Sequence, residues 1–430
     1  MPETHTLSRA DAARLWMSSR ENPMVVTAVL PLDGALPLVD LRRLLRERLL
    51  VHPRFRSRIE LPPVPWEPPR WHEVADLDLD RHVGRLALPR GSTDAAVERA
   101  VSGLASTPLS IRRPPWRAWV IDGSGQGSVV VVRVHHAIAD GMALLGVLFA
   151  VSDEGEGTFP APRDDDDDHR PKFTRASLPA PRALARGAGA LGRIVLRGAD
   201  HGITLEGPLS PHKRVAWSRP VDVAAVKRTA HERDAHVNDL VLAALSGAMR
   251  RSLSTPPSKP LHALVPVALG PATGDLGNRY ASVFVDLPVH IEHPDERLSA
   301  VRESSQVARS GAGLSLGNAL VDVFGAVGGV ARRAGVKLLS RRASVVESNV
   351  AGPPMPLHVG GRAITALRFA APAPGAIPMS ASVASYAGGL SLTVMADAHL
   401  RVAPQDITRR FADELSALVN ASPDGGHSPA

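Results

Sequence analysis

The stretch Val129-Val-Val-Val-Arg-Val134, running straight into His135-His136, constrains this chain more than any other part of it. Valine is stiff at χ1 and favours pleated structure, so the run predicts a buried strand. Ala137-Ile138-Ala139-Asp140-Gly141 follows, and Met142 to Ala150 is almost wholly apolar, which predicts a buried helix. Strand, polar loop and buried helix in that order hold the loop residues on rigid elements. The arrangement suits attack by a hydroxyl. An alcohol is a poor nucleophile near neutral pH, and a neutral imidazole takes its proton as it attacks. A carboxylate four positions on locks the loop through an ionic or backbone hydrogen bond and fixes the imidazole's tautomer, and Gly141 lets the chain turn sharply into the helix. The bland alternative is a pair of strand-end histidines with a helix-capping Asp140, and on the residues alone it stays ahead.

The rest of the chain narrows the setting. Its 430 residues suit two or three domains. It has no cysteine, which excludes disulfides, thiolate zinc sites and a cysteine nucleophile. The first residues lack the charged-then-apolar layout of a signal peptide, so a cytoplasmic location is expected. A formal charge of +7 favours anionic partners, yet two tyrosines in all argue against stacking platforms for single-stranded nucleic acid, and no nucleic-acid partner is expected. The segment from Phe369 to Ala396 is uncharged but broken by prolines and glycines. It reads as an extended loop and then a hairpin, Ala381–Tyr386 and Leu390–Ala396 turning at Gly388-Gly389, rather than a membrane span.

Asp164 to Asp168 is an acidic run inside a Pro- and Arg-rich stretch, which reads as a solvated linker. Three segments follow: 1–158, 159–205 and 206–430. Each of the two large ones reads as mixed α and β. Leu38, Leu41, Leu45 and Leu49 mark one helix face; Trp116–Ile121 and Ser128–Val134 read as strands. Val223–Ala230, Asn238–Ser252 and Leu298–Arg309 read as helices, Tyr280–Val289 as a strand, and Ile407, Phe411 and Leu415 as the buried face of a closing helix.

His135-His136-Ala-Ile-Ala-Asp140-Gly141 resembles the HHxxxDG motif of the chloramphenicol acetyltransferase and condensation-domain superfamily, and within it the bacterial wax ester synthase/diacylglycerol acyltransferase family. The likeness runs along nearly the whole chain: Leu7-Ser8 with Asp11 and Leu15, Pro23-Met24, Pro53-Arg-Phe55-Arg56-Ser-Arg58, Gly207-Pro208-Leu-Ser210 with Arg214, Val237-Asn238-Asp239-Leu-Val-Leu-Ala243, Pro266-Val267, Gly277-Asn278, Ser348-Asn349-Val-Ala-Gly352-Pro353, and Ser385-Tyr386 with Gly388 and Leu390. The departures are Pro114-Pro115-Trp116-Arg117 where the family has Pro-Leu-Trp and an acidic residue, Leu109-Ser110 for Leu-Asp, and Ala268 for a serine.

The resemblance implies an α/β fold of two chloramphenicol-acetyltransferase-like lobes of mixed sheet and helices, with the site in a tunnel between them. It implies direct transfer of a fatty acyl group from acyl-CoA, the substrate, to diacylglycerol or a long-chain alcohol, with no metal and no cofactor. His136 is then the general base, His135 its supporting neighbour, Asp140 structural and Gly141 the turn. Asn238 and Asp239 act from the second lobe, although Asn238 reads equally well as a helix N-cap. The rival functions are a condensation-type enzyme using a carrier-protein thioester, an idle lipid-binding protein on the same scaffold, and a serine hydrolase using Ser315.

Several patterns read as decoys. Gly313-Leu-Ser315-Leu-Gly317 matches a nucleophile elbow but follows a helix where an elbow follows a strand. Gly187-Ala-Gly189-Ala-Leu-Gly192 matches a dinucleotide fingerprint but follows no strand. His231 and His236 fit no zinc spacing and read as exposed helix-end residues. Arg182, Arg186, Arg193 and Arg197, and separately Arg333, Lys337 and Arg341, form basic stripes. Each reads first as a solvated face, and second as peripheral contact with an anionic membrane or lipid-droplet surface.

Overall fold

A computed structural model describes residues 4–64, 67–125, 127–155, 200, 203, 205–268, 280–309, 335–337 and 340–421. The acidic run, the first basic stripe, Arg333, both glycine decoys and Gly277-Asn278 lie outside these residues.

The valine run forms a central strand. Strand β1 (Val25–Pro31), β2 (Val83–Ser92), β3 (Trp116–Ser124) and β4 (Gly127–His135) build most of a five-stranded sheet. β4 lies between β1 and β3, antiparallel to both, and β2 runs parallel beyond β3. The fifth strand comes from far along the chain: β9 (Arg368–Ala370) pairs antiparallel with β1. These residues begin the stretch expected to be a loop. They pair because β1 would otherwise be an unprotected edge.

The second sheet uses β5 (Lys213–Trp217), β6 (Leu261–Ala268), β7 (Tyr280–Leu287), β8 (Val345–Ala351), β10 (Met379–Tyr386) and β11 (Gly389–Asp397). Their order is β7-β6-β8-β10-β11-β5, with the two-residue strand Val221–Asp222 added beside β11. β6, β8 and β10 run parallel, and β10–β11 is the expected hairpin. Ala387 and Gly388 turn it with positive φ.

Helices fill in around the sheets: α1 (Arg9–Met17), α2 (Leu38–Leu44, continued by a π turn, Leu45–Leu49), α3 (Asp94–Ala105), α4 (Gly141–Val151), α5 (Val223–Glu232), α6 (Val237–Ser252), α7 (Pro294–Arg309) and α8 (Pro404–Asn420). Eleven consecutive residues of α6, Asp239 to Met249, are buried, and with α7 and α8 they form the core of the second sheet. Among the described residues no helix is long and apolar enough to cross a membrane.

The two halves interlock. Glu98, Ser102 and Ser106 share one face at helical spacing along and just beyond α3. They accept hydrogen bonds from the backbone of edge strand β5: Lys213 N–H to Ser106 Oγ (2.8 Å), Val215 N–H to Ser102 Oγ (2.9 Å) and Trp217 N–H to Glu98 Oε1 (3.1 Å). A helix of the first half thus covers the sheet edge of the second. Arg368 of β9 lies over the Trp217 ring, 4.5 Å from its centroid. Deeper in the seam, the buried Lys213 ammonium donates to Asn22 Oδ1 (2.9 Å) and pairs with Asp397 (3.1 Å), while Asn22 donates to the carbonyls of Gly375 and Ile377.

Candidate active site

The histidines stand where β4 leaves the sheet. His135 N–H donates to the Pro115 carbonyl (2.9 Å) and His136 N–H to the Met24 carbonyl (2.7 Å), so strands on both sides hold the start of the loop. The loop then folds on itself. Ile138 N–H reaches the His135 carbonyl (2.9 Å), and Ala137 N–H donates to His135 Nδ1 (3.1 Å). That bond requires a lone pair on Nδ1 and so places the proton of His135 on Nε2. Burial, and His136 beside it, push the His135 imidazole down to about 3, so it stays neutral at physiological pH. His136 is also buried, 7 % exposed.

The loop is not polar, as the sequence suggested. Ala137, Ile138 and Ala139 are fully buried and belong to the core of the first half. Asp140 is the N-cap of α4: its carboxylate accepts from Ala143 N–H (3.0 Å) and its carbonyl from Leu144 N–H (2.9 Å). The turn into the helix is made at Asp140, with φ −83° and ψ 179°. Gly141 is outside the left-handed region, and a Cβ there would meet Val350 Cγ2 at an ordinary 3.6 Å. Neither a special turn nor the approach of β8 therefore requires glycine here.

Arg54 is the residue the sequence reading passed over. It lies inside Pro53-Arg-Phe55-Arg56, donates to the Ile138 carbonyl inside the histidine loop (2.8 Å) and pairs with the buried Asp11 carboxylate (3.1 Å). Ser8 caps α1 by accepting from Asp11 N–H (3.1 Å). Two segments near the N-terminus therefore converge on the loop through one guanidinium. Trp116 braces it from behind, donating from Nε1 to the Phe55 carbonyl (2.7 Å) with the His82 ring 4.7 Å away. The unusual Arg117 lies over the Trp119 ring and opposite Arg133 across β3–β4. The Arg133 guanidinium, which burial lowers to about 10, caps the end of α3 by donating to the carbonyls of Thr107 and Ala105.

The second half approaches through β8, whose Val350 abuts Gly141. Asn238 is not the N-cap of α6; that position is His236, and Asn238 sits in the first turn. The cause is Asp239, whose carboxylate accepts from His236 N–H (3.0 Å) and also lies 3.4 Å from Arg309. Asp239 is 1 % exposed and holds the helix start. Asn238 instead faces β8. It donates from Nδ2 to Glu347 Oε2 (3.4 Å) and accepts at Oδ1 from Asn349 Nδ2 (3.0 Å). Glu347, a fully buried carboxyl, is a second residue the sequence reading did not single out. Its signal was an acid directly after the apolar pair Val345-Val346. Burial raises it to about 8, against which the Asn238 hydrogen bond works only partly. Among the described residues no group of three or more candidate ligands forms a metal site.

Residues 7–241 match the model of the wax ester synthase/diacylglycerol acyltransferase catalytic domain, and residues 276–419 that of the family's C-terminal domain. A probable diacylglycerol O-acyltransferase of Mycobacterium tuberculosis, tgs1, is 29% identical over 406 residues, 88% of this chain and 87% of its own. A second M. tuberculosis protein named as a diacylglycerol O-acyltransferase is 30% identical over 468 residues, 97% of this chain and 92% of its own. In fold, the wax ester synthase/diacylglycerol acyltransferase of Marinobacter aquaeolei VT8 matches with a TM-score of 0.66 at 21% identity, over 96% of this chain and 98% of that one. The first condensation domain of the calcium-dependent antibiotic synthetase matches with 0.65 at 16% identity, over 97% and 96%. The chain belongs to the wax ester synthase/diacylglycerol acyltransferase family and is an acyltransferase.

Proposed function

We propose that this chain transfers a fatty acyl group from acyl-CoA to the hydroxyl of diacylglycerol or a long-chain alcohol, with His136 as general base. The observation that carries this is the division of labour in the loop. His135 is neutral and committed through Nδ1 to the Ala137 N–H, and Asp140 caps α4, so both serve the loop's shape. His136, held by the Met24 carbonyl, is the imidazole assigned to the chemistry. It takes the acceptor's hydroxyl proton as the oxygen attacks the thioester carbonyl. The C–S bond breaks, an ester forms, and the proton passes to the departing thiolate to give free CoA. Direct transfer calls for no acyl-enzyme, metal or cofactor. The acceptor and product are lipids, which favours peripheral contact with an anionic membrane or lipid-droplet surface; the basic Lys337 and Arg341 support it.

The test is CoA release from palmitoyl-CoA with diacylglycerol and with a long-chain alcohol in parallel. His136→Ala is expected to lower turnover about 10²- to 10⁴-fold with folding intact. A folded His136→Ala variant as active as wild type rules out the base. Transfer from a carrier-protein thioester but not from CoA replaces the donor with that of a condensation-type enzyme.

A further inference from the structure

The second sheet splits beside the site. Parallel strands β6 and β8 are in register only at Ala263–Val345 and Leu264–Val346. Beyond that, β6 stays with β7 as far as Ala268, while β8 stays with β10 as far as Ala351. The two strands therefore part toward their carboxyl ends, the place where open sheets of parallel strands take up ligands. The first turn of α6 packs over the split, and β8 runs on from it to Val350, against Gly141 of the histidine loop.

A polar string lines this opening. It starts at Glu347, fully buried, whose Oε2 accepts from Asn238. It continues through the half-buried Asn238 to the exposed Asn349. Glu347 Oε1 is buried and makes no hydrogen bond among the described residues. The Glu347 carboxyl is fully buried, and a buried carboxyl is costly to hold without hydrogen-bond partners. Its geometric effect is to turn the Asn238 amide so that Oδ1 faces Asn349. Each Nδ2 carries two hydrogens and one of each is engaged, so the string presents further N–H donors to the split. A long-chain alcohol brings one hydroxyl to such a site, and diacylglycerol adds ester carbonyls, which are weaker acceptors than amide carbonyls. The arm of a CoA thioester brings amide carbonyls, which are the acceptors that amide N–H groups match.

We infer that Glu347 is a positioning residue for the acyl donor: it fixes the Asn238 carboxamide, and Asn238 and Asn349 hold the donor's amide-bearing arm in the split between β6 and β8. The inference rests on the reading of acyl-CoA as donor. It is tested with the full chain, Glu347→Leu and Glu347→Gln, each checked for folding by its melting curve. Palmitoyl-CoA binding is measured by calorimetry without acceptor, and KM is then measured for each substrate. Glu347→Leu is expected to weaken palmitoyl-CoA binding about tenfold, the worth of one or two hydrogen bonds. It raises KM for palmitoyl-CoA and leaves that for the acceptor unchanged. Glu347→Gln, which keeps an oxygen for Asn238, recovers most of the loss. With the palmitoyl thioester of ethanethiol, which has no amide, Glu347→Leu and wild type perform alike. Unchanged palmitoyl-CoA binding in Glu347→Leu, or an equal rise in both KM values, overturns the inference and leaves the donor reading standing. Failure of wild type to bind palmitoyl-CoA overturns the donor reading and the inference with it.

Discussion

Replacing Glu347 with glutamine should stabilise this protein, and increasingly so as pH rises. Two effects compete at this carboxyl. It lies by the N-terminal turn of α6, and a helix N-terminus favours an anion by about 0.3–1 kcal/mol, at most ~2. It is also fully buried, with one oxygen unpartnered among the described residues, and the effective cost of burying an ion is several kcal/mol. Burial wins, and the group titrates near 8 instead of its ordinary 4.5. The sign follows from proton counts. Between those values the folded protein holds a proton that the unfolded chain has lost, so stability falls as pH rises through that window and levels off above it. By about pH 7.5 the loss relative to acid is roughly 4 kcal/mol. An unfolding entropy of about 2.1 cal/mol/K per residue makes that roughly 4 °C in Tm for a chain of this length. Glutamine has the same shape and no titration. Its Tm advantage over wild type should be near zero at pH 5 and grow to roughly 4 °C by pH 7.5, read by scanning calorimetry across that range. A difference that stays flat with pH, or a glutamine variant less stable at neutral pH, would show that Glu347 is ionised and held by the helix, and the reasoning would fail.

Three further outcomes follow from the loop. Arg54→Met removes the Arg54–Asp11 ion pair and the donor to the Ile138 carbonyl; it should cost roughly 3 kcal/mol in a denaturant melt and lower turnover together with stability. Asp140→Ala removes the α4 cap, about 0.5–2 kcal/mol, and should lower both Tm and turnover with the pH optimum unmoved; a displaced optimum at normal Tm would instead place Asp140 in proton transfer. His135→Ala leaves the buried Ala137 N–H without its acceptor at a cost of about 1–3 kcal/mol, and should reduce turnover less than His136→Ala in the same assay.

What could be read in advance was local. The valine strand, the histidine loop, the apolar helix after it and the β10–β11 hairpin all announce themselves by period or turn chemistry within a dozen residues. Pairings that depend on distant partners did not. Arg368–Ala370 joins a strand more than three hundred residues earlier, and nothing in its own composition marks it as more than loop. Glu98, Ser102 and Ser106 look like a solvated helix face until an edge strand is laid against them. Arg54 is one of three arginines within five residues, and only its contact with the Ile138 carbonyl sets it apart. Asn238 reads as a cap because asparagine often is one, and Asp239 reaching back to His236 displaced it. The loop was expected to be polar from its histidines and aspartate, but its middle three residues are small or aliphatic and pack inward.

These distant contacts explain how an apolar loop can hold the His136 imidazole still. Ala137, Ile138 and Ala139 offer only shape to the core around them, which alone does not fix a rotation of the loop. Direction comes from hydrogen bonds made at its carbonyls and N–H groups by residues from elsewhere: Pro115 and Met24 at its entry, Arg54 at Ile138 and the α4 cap at its exit. The seam supplies the remaining restraint, because β9 completes the sheet that carries His135 while α3 closes the edge of the sheet that carries Glu347 and Asn349. Each half thus finishes the other's hydrogen bonding, and the Lys213–Asp397–Asn22 cluster joins them where water is excluded. Opening the seam would strand a buried ion pair and the N–H groups of β5 together, so the halves should separate only on unfolding. The base proposed at His136 would have to meet a hydroxyl and the acyl carbonyl at once and would gain from that rigidity, since displacements of about 1 Å cost rate steeply.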